Sequence, residues 1–406
     1  MHQSRRSGHG RASRGSRKGR KDRWPLPLGI GAAATLLSLP VLRQVRLGTP
    51  NQPLTDAWQR IPVERRGSTL LGISFRPPQV AALGLEPRAT LQFLLGYPLQ
   101  LIRLGAYWRW IEPSPGVFDT RGLDWQVDAA EQAGVPVVLC VGAVKTFGYP
   151  EFFAPPHRLP RPLRERSRVT PGEHASLLAA ATDFVGRLVD RYKDRRGIVA
   201  WQVEHEAVDP LGMEHSWRLD TTFVAREVDA VRRADPSRPI LMNGYLPASL
   251  PVRLFQQWQT RDQGDSLAVA ERMADIVGLD YYPRHALVSV GARTLYLDGS
   301  RDRWPEQKAR QLLASTRARG QRLMISEGQA EPWEATTIPA NPTGQGLSSC
   351  LPEHVVANYN ACLRWGRQQD AALYAYLFWG AEYWVLRQRS GDASYARAFG
   401  RVLERA

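Results

Sequence analysis

The sequence predicts a single (β/α)8 TIM barrel, and three observations predict it. Eight short runs rich in Val, Ile and Leu are nearly continuous in hydrophobicity, as parallel strands buried on both faces should be. Amphipathic stretches of helical period separate them. The alternation fills roughly 330 of the 406 residues without a break that would divide it into domains.

The strand runs are Thr69–Phe75, Gln100–Leu104, Pro136–Gly142, Ile198–Glu204, Pro239–Asn243, Asp275–Asp280, Arg322–Ser326 and Ala372–Phe378. Helical patterns cover Asp124–Ala133, Gly172–Tyr192, Asp220–Ala234, Pro305–Arg319 and Glu353–Gln369. Gly134 and Gly320 are helix-stop signals ahead of the third and seventh strands, and the turn Ala234–Pro239 sets the fifth. The rival architecture, a doubly wound open sheet, carries a glycine-rich phosphate turn after its first strand. Here that turn reads FRPPQVAALG, with no glycine cluster.

Hydrophobic residues make up 43% of the chain and 13 are Trp, enough apolar surface for a large core. Three Cys exclude a disulfide scaffold and the multi-cysteine metal frameworks. The net charge of +15 invites a nucleic-acid reading, but about half of it lies in residues 1–23. That segment has no core-forming residue and is expected to be a disordered cytoplasmic tail. Residues 24–42 follow without a charge and nearly match the roughly 20 residues a bilayer core requires. Basic flank followed by apolar run predicts a single-pass signal anchor, with the rest of the chain outside the cytoplasm. A cleaved signal peptide and secretion form the alternative. Residues 43–68 read as a linker and 69–406 as the catalytic barrel. The basic tail then serves topology and lipid contact rather than nucleic acid.

In a barrel, chemistry gathers at the C-terminal strand ends. Those ends offer Arg103, Tyr107, Trp108 and Trp110 after strand two, and Glu204, His205 and Glu206 after strand four. Strand five contributes Asn243 and Tyr245; strand six Asp280, Tyr281 and Tyr282; strand seven Glu327; strand eight Trp379, Glu382 and Trp384. Glycosidic cleavage needs a carboxylic acid to protonate the leaving oxygen and a second carboxylate on the other side of the sugar. Aromatic side chains suit the C–H faces of pyranose rings. A carbohydrate is therefore the expected substrate, with no cofactor and no metal. His205 between two Glu lacks a second His at ligand spacing.

The stretch RLGAYWRWIEPSPGVFDTRGLD (103–124) resembles the second-strand motif of retaining glycoside hydrolases of the large (β/α)8 clan that includes cellulase-like and β-galactosidase-like enzymes. The resemblance continues through WQVEHEAVDP, DIVGLDYYP, MISEGQAEPW and YLFWGAEYW, over roughly residues 70–400, and is specific to the clan rather than to one family. It implies Glu206 as acid/base and Glu327 as nucleophile, with Glu331 as rival nucleophile. It further implies Arg103 and either Tyr281 or Tyr282 as hydrogen-bond donors to Glu327, and Trp379 as the floor under the reacting sugar. Most clan members have Asn where this chain has His205, so the contact to the sugar 2-hydroxyl is expected to differ.

Three bland roles accompany these. Trp110 suits core packing as well as a sugar platform, Cys140 is a core thiol, and Cys350 and Cys362 could bridge in an exported domain. The competing functions are a glycan-binding barrel or envelope-polysaccharide scaffold that does not cleave, and a transglycosylase using the same intermediate.

Overall fold

The computed structural model describes residues 44–49, 51–159, 161–210, 217–290, 293–334, 341–367 and 371–406. Eight parallel strands close into a barrel in chain order: β1 (Leu70–Ser74), β2 (Leu101–Gly105), β3 (Val137–Cys140), β4 (Ile198–Gln202), β5 (Ile240–Leu246), β6 (Ile276–Tyr281), β7 (Arg322–Gln329) and β8 (Ala375–Trp379). Each coincides with one of the eight apolar runs. The helices also fall where their periodicity places them, at Arg121–Gln132, Ala175–Tyr192, Thr221–Ala234, Arg303–Ala318 and Pro352–Arg367. Asp220 caps the third of these by accepting from the Thr222 amide at 2.8 Å, and Asp302 caps the fourth through the Trp304 amide at 2.9 Å.

Side-chain alternation divides the strands between two cores. Leu101, Val138, Ala200, Leu241, Ile276, Met324, Ala375 and Leu377 fill the barrel axis. Their neighbours Ile102, Leu139, Trp201, Met242, Val277 and Ile325 pack outward against the helices. Strand residues beyond the axial layer therefore project into the mouth in the same alternating order.

β7 breaks that alternation. Its ladder with β6 pairs Ile325 with Leu279 and then Glu327 with Asp280, leaving Ser326 as an extra residue. The ladder with β8 slips in the same place, between Ile325 and Gly328. Strict alternation after Met324 (inward) and Ile325 (outward) would turn Glu327 to the outer face. The bulge turns Ser326 and Glu327 both toward the axis, the re-aiming that bulges beside sites perform.

Two readings need correction. Residues 45–68 are not a free linker. Val45–Gly48 pairs antiparallel with Arg293–Asp298, which pairs with Arg284–Val290 in a three-stranded sheet after β6. The hairpin leaves an open edge, and the apolar VRLG segment completes it. Trp58 is buried, and Asn360 holds the Glu64 amide and the Pro62 carbonyl at 2.9 and 2.7 Å. Cys350 and Cys362 form no disulfide; both are free and buried, like Cys140. The expected tail (1–23) and apolar span (24–42) lie outside the described residues, and among the described residues no helix is long and apolar enough to cross a membrane.

Candidate active site

Glu206 and Glu327 face one cavity of ≈ 200 Å³ at the barrel mouth, together with His205, Tyr282 and Trp379. Glu327 is bound on both oxygens. Arg103 donates to Oε1 at 2.7 Å and the Tyr282 hydroxyl donates to Oε2 at 2.6 Å. The guanidinium is itself fixed by Gln202 at 2.7 Å and lies 3.9 Å above the Phe147 ring. Burial pushes the Glu327 carboxyl up, while Arg103 and the Tyr282 hydrogen bond pull it back toward ionisation.

Glu206 has the opposite surroundings. Burial comes first, then the neighbouring Asp280, Asp209, Glu151 and Glu327, and all push its carboxyl well above the ordinary range. It also shares a hydrogen bond with Asp280. One carboxyl is supplied with donors and the other is crowded by acids, a division that separates a nucleophile from a proton donor.

The end of β4 is held in a strained form. Glu204 and Glu206 both have left-handed backbones, with φ of 56° and 42°. Glu204 sustains the turn by accepting the Val144 and Lys145 amides at 2.9 and 2.5 Å. The turn presses so closely on the β3 loop that a Cβ at Gly142 would sit 2.0 Å from the Glu204 nitrogen. Lys145 reaches back to the Glu206 carbonyl at 2.7 Å. Non-glycine residues kept at positive φ by such clamps are typical of sites whose geometry is over-determined.

His205 is buried and neutral. Burial, then Arg103 and Lys145, lower its pKa well below the usual imidazole range. Its Nδ1 lies 3.0 Å from Asn243 Nδ2 and 3.4 Å from an Arg103 nitrogen, both donors, so the ring proton is assigned to Nε2. The 3.5 Å approach of Nδ1 to Glu327 is therefore not an ion pair. Asn243 also donates to Asp280 and accepts from Gln202 at 3.0 Å. The donor atoms of His205, Asp280 and Glu327 lie within 4.8 Å of one another, near enough to hold a metal ion. Arg103 already brings a positive charge to two of these three, bonded to Glu327 and 3.4 Å from His205 Nδ1.

Of the nine predicted site residues, Glu206, Glu327, His205, Tyr282 and Trp379 line the cavity, and Arg103 and Asn243 stand directly behind them. Tyr281 and Trp110 do not belong to it. Tyr281 points outward and meets Trp365 edge-on at 4.9 Å, because Asp280 and Tyr282 take the inward positions of the β6 alternation. Trp110 lies on the one-turn helix Trp108–Ile111, 48% exposed, against Tyr107. The rival nucleophile Glu331 is engaged by Arg76 at 2.7 and 2.8 Å, and that guanidinium lies 4.1 Å from the Trp379 ring. Glu331 thus fixes the Arg76 guanidinium against the Trp379 ring.

Sequence reasoning missed Glu151, His285 and Trp333 among the lining residues, and it placed Asp280 at the end of strand six without giving it a role. Asp280 was legible, since it sits two residues before Tyr282 on the same face. The others stand on the connections after β3, β6 and β7, outside the alternation of the barrel strands.

Residues 96–216 match the family model described as Beta-galactosidase. No curated protein matches the chain. Among solved structures it is similar to GH5_18 from Streptomyces cattleya in complex with GlcNAc, at 16% identity and TM-score 0.55 over 83% of this chain and 80% of that one. It is also similar to a psychrophilic glycoside hydrolase family 10 endo-beta-1,4-xylanase, at 14% identity and TM-score 0.51 over 87% and 99%. Native xylanase 10B from Thermotoga maritima aligns at 14% identity and TM-score 0.50 over 83% and 95%. At such identities these likenesses concern the fold. The family match across β2 to β4, set on this barrel, supports glycosidase activity and a glycoside hydrolase of the large (β/α)8 clan, with its family inside the clan unassigned.

Proposed function

We propose that this chain is a retaining glycoside hydrolase that cleaves O-glycosidic bonds of an extracytoplasmic poly- or oligosaccharide, anchored to the membrane by residues 24–42. Glu327 attacks the anomeric carbon and forms an ester bond to it. The bond to the leaving oxygen breaks as Glu206 hands that oxygen its proton. Glu206, now a carboxylate, takes a proton from water, and the resulting nucleophile displaces Glu327 to release the sugar with its original configuration.

The observation carrying this reading is the contrast between the two carboxyls of one cavity. Arg103 and Tyr282 favour an ionised Glu327, whereas burial and four acidic neighbours favour a protonated Glu206. His205 supports it in a second way. With Nδ1 engaged, its Nε2–H is the donor left for a sugar hydroxyl, the task Asn performs in most of the clan. The solved neighbour that holds GlcNAc makes hexosamine-containing glycans the first substrates to try.

The test is a panel of aryl glycosides. Expected are Glu206-dependent release and a first product of retained configuration by NMR. Glu327→Ala should lower turnover by about 10³-fold or more, with azide restoring it through a glycosyl azide of inverted configuration. An inverted first product, or loss without azide rescue, would refute the double displacement.

A further inference from the structure

Double displacement uses two carboxyls, and the cavity holds a third. Glu151 lines the same wall as Glu206 and Glu327. Its loop after β3 is fixed by a bridge between Lys145 and Phe152, and the Thr146 amide donates to the Glu151 carbonyl at 3.0 Å. The residue is 8% exposed, and its Oε2 is buried without a hydrogen-bond partner. The nearest cation, Lys145 Nζ, stands 3.9 Å away and directs its protons to the carbonyls of Glu206 and Asp209, at 2.7 and 3.3 Å. A buried carboxyl oxygen left unpaired is costly unless something arrives to pair it.

The rest of the wall indicates what arrives. Tyr149, Tyr245, Tyr282, Trp333 and Trp379 line the cavity, and no Lys or Arg is among its described lining residues. Across the mouth from Glu151, in the loop after β6, His285 is held by Tyr245 through Nε2 and leaves Nδ1 buried and unpartnered. Burial keeps that ring neutral by lowering its pKa to about 4. Carboxylate and aromatic faces without a competing cation form a receptor for an ammonium group. They are a poor receptor for the carboxylate of a uronic acid.

We propose that Glu151 recognises a protonated amine on the sugar and makes the cavity selective for de-N-acetylated hexosamine units. This assignment rests on the glycosidase reading for its location and extends it to a substrate class. The charged and titratable groups around Glu151 are Lys145, Glu327, Asp209 and Glu206; burial, more than these, raises its own carboxyl to about 7. A neighbouring ammonium would hold it ionised.

The experiment compares matched 4-nitrophenyl glycosides carrying amino, hydroxyl or acetamido groups at C2, using the full chain in detergent. The amino member should have kcat/KM at least about tenfold above its partners at pH 7, a preference carried by KM. Glu151→Gln should lower kcat/KM on the amino glycoside about ten times more than on the hydroxyl one. Independently of any variant, the wild-type preference should vanish above about pH 9, where the amine loses its proton. Absence of the preference, or an equal loss on both series in Glu151→Gln, would overturn the assignment. If the wild type cleaves none of the panel, the hydrolase reading fails by itself. Calorimetry with glucosamine and N-acetylglucosamine tetramers then decides. Tighter binding of the amine, lost in Glu151→Gln, upholds the assignment, and equal or no binding refutes it.

Discussion

Burial raises the Glu327 carboxyl and Arg103 opposes that rise, which gives the site a definite pH response. The proposed double displacement requires Glu327 ionised and Glu206 protonated. Activity should fall on the acid side as Glu327 takes a proton and on the alkaline side as Glu206 loses one. Because burial and its neighbours raise Glu206, the alkaline limb should stand well above the ordinary Glu range. Tyr282→Phe removes one donor to the Glu327 carboxylate. It should lower kcat by about tenfold and move the acid limb to higher pH, a shift read directly from a pH–rate profile. His205→Asn should stay within about tenfold of wild type, since an amide can replace the Nε2–H donor, whereas His205→Ala should lose more. At this scale the sequence was informative wherever a side chain follows strand alternation. Arg103 and Asn243 could be placed from their position alone. It could not choose between Tyr281 and Tyr282 until the end of β6 was known. Glu151 and His285 are invisible to such reasoning, because they gain their roles from loops that close over the mouth.

Two strand ends depart from ideal geometry, and both serve the site. The Ser326 bulge turns Glu327 inward, and the left-handed residues at 204 and 206 set the acid/base. Neither is a property of apolar period, so the sequence pattern located the carboxyls without explaining how they converge. The β4 end has a thermodynamic signature of its own. Glu204 and Glu227 face one another in the core, and burial raises both. Burial likewise raises Asp209 to about 6 and Glu151 to about 7. A carboxyl whose folded pKa is raised contributes stability below its unfolded pKa and loses it as pH climbs through the folded value. The melting temperature should therefore decline as pH rises from about 4.5 to 7 and beyond. Glu227→Gln should flatten that decline, and calorimetric scans across this window would reveal a steeper or unchanged slope if the pair is not responsible.

For the molecule as a whole, the eight apolar runs sufficed to specify the barrel, because strands buried on both faces leave a continuous trace in the sequence. The sheet that Val45–Gly48 completes was hidden, since its partner hairpin belongs to a loop and its pairing spans about 250 residues. The three buried thiols make a further prediction. Melting should be unchanged by reductant, and native thiol reagents should modify none of Cys140, Cys350 or Cys362; a reductant-sensitive transition would contradict the free cysteines. The proposed anchor predicts that the full chain stays with membranes through an alkaline carbonate wash and that protease added outside the cell reaches the barrel but not residues 1–23.

The strand Val45–Gly48 then acquires a mechanical meaning. With residues 24–42 in a bilayer, only Arg43 and Gln44 separate the span from the sheet, a leash of about 10 Å even when fully stretched. Gln44 is tied down as well, donating to Asp302 at 2.5 Å. The same sheet begins at Arg284 and His285, the latter in the cavity wall, and it shows Leu47, Val288 and Val290 to the outside. On the proposed anchoring, so short a tether would restrict how far the barrel can move from the bilayer. If the proposed anchor holds, the mouth would stay close to the lipid, and the glycan strands within reach would be those passing near the membrane surface.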